Sequence, residues 1–253
     1  RAPARPSMPT GPMRLARMIA LSSSLSRRAA EKAIASGEVS VNGEVVTAMG
    51  VVVDPASASV LLSGRPLSIP RAATYLAFNK PRGFIVTKSD PEGRPTIWRI
   101  LEEWKDKLNS VGRLDFDSEG LIVLTDDGDF INLLTHPSHE IWKTYLVHVK
   151  GEPGAREILR LREGVMLSDG VTLPARVRRV NDGQSNSLVE ISIREGRNRQ
   201  VRRMFEEVGF PVLGLKRTAI GGVKLGALGS GEWRFLSGSE VESLRKSSSG
   251  EKR

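Results

Sequence analysis

Val111-Gly-Arg-Leu-Asp-Phe-Asp-Ser-Glu-Gly-Leu-Ile-Val-Leu-Thr-Asp-Asp-Gly128 reads as a loop, a strand and a helix start in succession. Gly112 and Gly120 bracket a segment that carries three carboxylates, Asp115, Asp117 and Glu119. Leu121–Leu124 is wholly apolar, short and bounded by turn residues, which predicts a strand buried on both faces. Asp126-Asp127-Gly128 then turns the chain, with the two aspartates as turn and cap residues, into a helix expected over Phe130–Leu134.

A strand buried on both faces needs neighbours, and the flanking sequence supplies them. Tyr145, Val147 and Val149 alternate with more polar residues, as do Val189, Ile191 and Ile193. Further strands are expected at Tyr75–Phe78, Phe84–Thr87, Val177–Val180, Val212–Leu215 and Trp233–Leu236. Helices are expected at Ala155–Leu161 and Gln200–Val208, the latter stopped by Gly209. Many strands with few, irregularly placed helices predict an α+β domain with a mixed, mainly antiparallel sheet over residues 72–245.

A smaller module precedes it, at residues 13–63. Met13, Ala16, Ile19 and Ala20 have helical spacing, and Ser26 is placed to cap a second helix, Arg27–Ser36. Gly37 ends that helix. Valines then flank Asn42-Gly43, a hairpin signal, and Val51–Val53 and Val60–Leu62 read as short strands. Gly64–Arg71, with two prolines, reads as a linker. Residues 1–12, with four prolines and no acidic group, and residues 246–253 read as disordered tails. The first of these is open to three readings: a cloning remnant, a start upstream of Met13, or an organelle-targeting remnant.

Composition narrows the chemistry. The 253 residues carry a net charge of +9, no cysteine and three histidines. Disulfides, thiolate metal sites and cysteine nucleophiles are excluded, and a polyanion, nucleic acid by default, is the expected partner. No apolar run reaches membrane-spanning length. Neither a glycine-rich phosphate loop ending in Gly-Lys-Ser/Thr nor a dinucleotide fingerprint occurs. His136 and His139 flank Pro137, which breaks the helix that a paired-histidine metal site needs, so no metal is expected.

Three segments remain as candidates. A carboxylate on the 112–120 loop is the best available nucleophile, against the plain reading of a solvated acidic loop. Arg194, Arg197, Arg199, Arg202 and Arg203 crowd a helix start, where the helix dipole disfavours them unless an anion or carboxylate compensates. Lys143-Thr144-Tyr145 sets one of only two tyrosines beside a basic residue. A paired-carboxylate hydrolase would need a second acid facing Asp115, and nothing in the sequence argues that Asp117, two residues away on the loop, faces it. A DNA-binding protein is the further alternative, separable by its indifference to the 2′-hydroxyl.

Arg14-Leu15, Ser26-Arg27-Arg28-Ala29-Ala30-Glu31 and Val39-x-Val41-Asn42-Gly43 resemble the RNA-binding module named after small-subunit ribosomal protein S-four. Gly112-Arg113-Leu114-Asp115 with Asp117-x-Glu119-Gly120-Leu121, Lys143-Thr144-Tyr145, Glu195–Met204 and Lys80-Pro81-x-Gly83 resemble, in order, the motifs of the pseudouridine synthases. Within that family the likeness is greatest to the synthase B type, which acts on large-subunit ribosomal RNA. The resemblance implies isomerisation of uridine to pseudouridine without cofactor or metal. Asp115 would be the nucleophile or general base. Tyr145 would stack on the uracil, and Arg202, with Arg197 as second candidate, would pair with Asp115. RNA contacts would come from Arg14, Arg17, Arg27, Arg28, Lys32 and Asn42 in the small module, and from Lys80, Arg82, Arg113, Arg197, Arg199 and Arg203 in the large one. Asp117 and Glu119 would serve loop architecture. The partner would be ribosomal RNA or a ribosome-assembly intermediate, met by a monomer in the cytoplasm, or in an organelle if the tail is a targeting remnant. A small-subunit ribosomal RNA synthase and a non-catalytic ribosome-assembly protein are the alternatives.

Overall fold

A computed structural model of the chain describes residues 11–55, 57–67, 73–182 and 186–247. The chain divides into two units between Ala73 and Thr74.

The small unit runs β1 (Met13–Arg14), α1 (Leu15–Ser22), α2 (Arg27–Ala35), β2 (Val39–Val41), β3 (Glu44–Val45), β4 (Val52–Val53), β5 (Val60–Leu62) and β6 (Arg65–Pro66). Leu15, Met18 and Ile19 of α1 pack with Ala30 and Ile34 of α2 and with Val39 and Val60 of the strands. Ser26 caps α2 through its hydroxyl, which accepts from the Ala29 N–H at 3.2 Å. The sequence predicted a helix from Met13, but Met13 and Arg14 are extended and pair with Val53 and Val52. A helix start leaves its first N–H groups unmade, whereas the β bridge uses the backbone here and still buries Met13. Asn42 and Gly43 both adopt positive φ, +53° and +90°, as a two-residue hairpin turn requires. The Asn42 side-chain oxygen accepts from the Ser59 N–H at 2.9 Å and so braces the hairpin, while the residue itself stays exposed. Arg65-Pro66, expected in the linker, instead pairs with Leu62 and Leu61 as an edge strand. The rest of that linker, residues 68–71, and the tails at 1–10 and 248–253 lie outside the described residues.

The large unit runs β7 (Tyr75–Lys80), β8 (Asn109–Val111), β9 (Glu119–Thr125), α3 (Gly128–Thr135), β10 (Lys143–Lys150), α4 (Ala155–Glu163), β11 (Met166–Leu167), β12 (Gly170–Val171), β13 (Arg176–Asp182), β14 (Asn186–Ile193), α5 (Gln200–Glu207), β15 (Val212–Ile220), β16 (Val223–Lys224), β17 (Trp233–Phe235) and α6 (Gly238–Ser247). Its main sheet has the order β13-β14-β10-β15-β9-β7-β17, with β16 beside β15 and β8 beside β9. The only parallel pairing among the described strands joins β15 to β9, through Lys216 with Glu119 and Arg217 with Gly120. Strand β9 is buried from Gly120 to Thr125, as an apolar central strand must be. Asp127 caps α3, its carboxylate accepting from the Asp129 and Phe130 N–H groups at 3.2 Å each.

Two expectations fail in this unit. Phe84–Thr87 forms no strand, and Ile85 makes only an isolated bridge to Thr96. Ile85 donates to the Pro95 carbonyl and accepts from the Ile97 N–H, but Pro95 has no N–H to extend the ladder toward Gly83, and the turn that starts at Ile97 ends it on the other side. Lys246 and Ser247, expected in a tail, close helix α6.

Candidate active site

The loop between β8 and β9 is held from both sides by buried cations. Leu114 anchors it in the core, and the Ser118 N–H closes a turn on the Asp115 carbonyl at 3.1 Å. Lys80, fully buried at the end of β7, donates its ammonium to the Ser118 carbonyl at 2.6 Å and the Pro81 carbonyl at 3.0 Å. Burial lowers this ammonium to about 8, against the pull of Asp115, Asp117 and Glu119. Lys80 is therefore a loop pin, not the phosphate contact the sequence suggested. Arg217 reaches the same loop from β15, through Nε to the Leu121 carbonyl at 2.7 Å and Nη1 to the Arg113 carbonyl at 3.5 Å.

Lys80→Met should lower turnover on RNA about 100-fold through a misplaced loop while RNA affinity stays within about threefold. Filter binding alongside single-turnover kinetics checks this, and a pure loss of affinity would point to a phosphate contact instead.

Asp115 and Tyr145 line one cavity of about 390 Å³, within the ordinary range of ligand sites. Tyr145 is buried on β10, opposite Arg217 of β15 and Ile191 of β14. The strand alternation that turns Tyr145, Val147 and Val149 to one face sends the ring into this cavity. The Asp115 side chain is 37% exposed and stands 4.0 Å from Arg199.

The arginine cluster is arranged differently from expectation. Arg202 lies on the buried face of α5 and meets Asp117, not Asp115: its Nη2 is 3.1 Å from the Asp117 carboxylate and 3.0 Å from the Asp117 carbonyl. Arg199 donates both terminal nitrogens to the same carboxylate at 3.2 Å. Burial pushes the Asp117 carboxyl up, but the two arginines outweigh it and hold it below the usual carboxylate range. The role of loop brace thus falls on Asp117, while Glu119 stands 3.8 Å from Lys216. Arg199 takes a left-handed backbone at the start of α5, φ +47°, an uncommon state for a residue with a Cβ.

Arg197, the second candidate for Asp115, is engaged elsewhere. It pairs with Glu195 at 3.0 Å and donates to the Gly170 and Val171 carbonyls at 2.9 and 2.7 Å. Arg203 pairs with Asp169 at 3.0 Å. Both therefore hold the β11–β12 hairpin, and neither keeps a free fork for phosphate. Arg82 and Arg113 are exposed, and Arg113 lines the cavity. In the small unit Arg14, Arg28 and Lys32 are exposed and Arg17 and Arg27 are half-buried.

Sequence reasoning did not single out Arg217, and it noted Lys143 only as a neighbour of Tyr145. Both line the cavity. The available signal was an arginine at an inward position of the strand that became β15, two residues past the expected end at Leu215. Among the described residues no cluster of three metal-binding side chains occurs, and no helix is long and apolar enough to cross a membrane. His136 and His139 bond locally, to Ser138 and to the Leu133 carbonyl.

The model of the RNA pseudouridylate synthase family matches residues 74–207, which contain Asp115, Tyr145 and Arg202. The chain belongs to the RNA pseudouridylate synthase family. The S4 domain model matches residues 13–56 of this pseudouridine synthase. It is 43% identical over 235 residues to an uncharacterized RNA pseudouridine synthase of Mycobacterium tuberculosis, covering 92% of each chain. It is 39% identical to the ribosomal large subunit pseudouridine synthase B of Bacillus subtilis, covering 92% of this chain and 95% of that one. A crystal structure of a pseudouridylate synthase superposes with a TM-score of 0.65 at 36% identity, over 92% of this chain and 99% of that one.

Proposed function

We propose that this synthase isomerises a uridine of ribosomal RNA, that of the large subunit, using Asp115 as nucleophile or general base and no cofactor. The observation that carries this reading is the shared cavity of Asp115 and Tyr145, a carboxylate and an aromatic face in one recess lined by cations. A uridine inside folded RNA must leave its stack to reach such a recess, at a cost of a few kcal/mol that phosphate contacts offset. Tyr145 supplies the stacking surface, and exposed Arg113, which lines the same cavity, meets the backbone, while Arg199 stays on Asp117. Arg202 acts on Asp115 through the loop, by fixing Asp117. The relatives named large subunit synthase B favour the large-subunit substrate over the small-subunit one. Tritium release from carbon-5-labelled uridine in each subunit's RNA tests the choice. Faster release from large-subunit RNA supports it, and release from small-subunit RNA alone contradicts it.

The small unit contributes affinity. Arg28 and Lys32 are exposed four residues apart on α2, one helical turn. Arg28→Ala with Lys32→Ala should weaken RNA binding about tenfold and reduce the salt slope by up to about 2, leaving turnover at saturating RNA unchanged. A salt titration of binding measures both.

A further inference from the structure

We propose that Lys143 and Arg217 form a cationic pair that receives the negative charge of the pyrimidine carbonyls during isomerisation. The proposal rests on the synthase reading above and adds two residues to it.

Arg217 is 3% exposed and has no carboxylate partner; its Nη2 is buried without any hydrogen-bond acceptor. Lys143, on the neighbouring strand, donates only to the Ile141 carbonyl at 3.2 Å. Burial first, and then Arg217, lowers the Lys143 ammonium to about 8. A buried cation and a half-buried one that repel each other are costly unless an anion joins them. The pair flanks Tyr145, since Lys143 precedes it by two on the same face and Arg217 is its cross-strand partner.

The anion is a part of the base rather than a phosphate. A flipped nucleotide sends its base into the pocket and keeps its phosphates at the mouth, where exposed Arg113 stands. Breaking the bond between C1′ and N1 leaves the electron pair on N1, delocalised onto O2 and O4. Addition of a carboxylate to C6 sends the C5=C6 pair to O4 instead, before the bond between C1′ and N1 breaks; the carboxylate is expelled from C6 when loss of the C5 proton restores the C5=C6 bond. By either route the carbonyl oxygens gain charge. The bond from C5 to C1′ then forms, the C5 proton passes to solvent through a base, and N1 takes up a proton. Donors already fixed where that charge appears accelerate the step.

The test uses the full chain, ribosomal RNA labelled at carbon five of uridine, and enzyme in excess. Lys143→Met should slow tritium release about 100-fold, with RNA affinity within about threefold and a melting temperature no lower than wild type. Lys143→Arg should restore most of the rate. A Lys143→Met rate within about threefold of wild type overturns the proposal. So does a rate loss that higher enzyme concentration recovers, which marks a phosphate contact. Loss of cooperative melting in both Lys143→Met and Lys143→Gln marks a structural role and overturns it too. No release by wild type from any ribosomal RNA defeats the synthase reading itself, and the proposal with it.

Discussion

Asp115→Asn should reduce tritium release from carbon-5-labelled uridine by about 10⁴-fold or more, with RNA affinity within about threefold and unchanged melting. The size follows from the absence of an alternative. Asp117 is locked by Arg199 and Arg202, and Glu119 stands by Lys216. Glu195, the other carboxylate lining the cavity, is tied to Arg197 and to the Leu173 N–H. An amide keeps the shape of Asp115 but neither attacks carbon nor accepts a proton at neutral pH. Stability should be insensitive because the contact of Asp115 with Arg199 is long and exposed to solvent, where an ion pair contributes little. Single-turnover release, filter binding and a thermal melt, run on the same preparation, check all three. Retained release in Asp115→Asn would move the chemistry to another group.

Gly120→Ala should destabilise the large unit by about 2–5 kcal/mol, the sum of a clash and a disfavoured backbone conformation. A Cβ at Gly120 would sit 2.3 Å from the Arg217 carbonyl oxygen and 2.6 Å from its nitrogen, both backbone atoms that no rotamer change can move. The residue also has φ +109°, outside the range that side-chain-bearing residues adopt. Gly120 lies at the parallel pairing of β9 with β15, so the clash falls on the seam that carries the Asp115 loop. A melting temperature lower by about 10 °C is expected for a unit of this size, with activity lost in proportion. Gly112→Ala is the control. It also has positive φ, +73°, but its Cβ would meet only a Thr135 methyl at 3.9 Å, so it bears the backbone strain without the clash.

The parts of the fold legible in sequence were those set by local periodicity. Leu121–Leu124 needed burial on both faces and became the centre of a sheet. The alternation through Tyr145 fixed the face on which the ring stands, and Asn42-Gly43 fixed a hairpin because its turn needs two positive φ values. What was not legible depended on partners distant in sequence. Met13 fits a helix by spacing but is claimed by Val53. Phe84–Thr87 has strand composition but meets a segment bounded by Pro95, which has no N–H to extend the ladder, and by the turn at Ile97–Arg99. Lys80 and Arg202 were recognised as cations of the site, yet a cation's role depends on which oxygen it reaches. Asp115 and Asp117 are two residues apart on an irregular loop, and no periodicity tells which one α5 will face. The fold answers Asp117, and so leaves Asp115 directed at the cavity.

The most direct test of the account is chemical analysis of the product. Large-subunit ribosomal RNA is incubated with the wild-type chain, digested to nucleosides and resolved by chromatography with mass detection. The account predicts a nucleoside of uridine's mass with the retention of pseudouridine, formed by wild type and not by Asp115→Asn. RNA that binds the chain tightly yet yields only uridine, from either subunit and from assembly precursors, would contradict it.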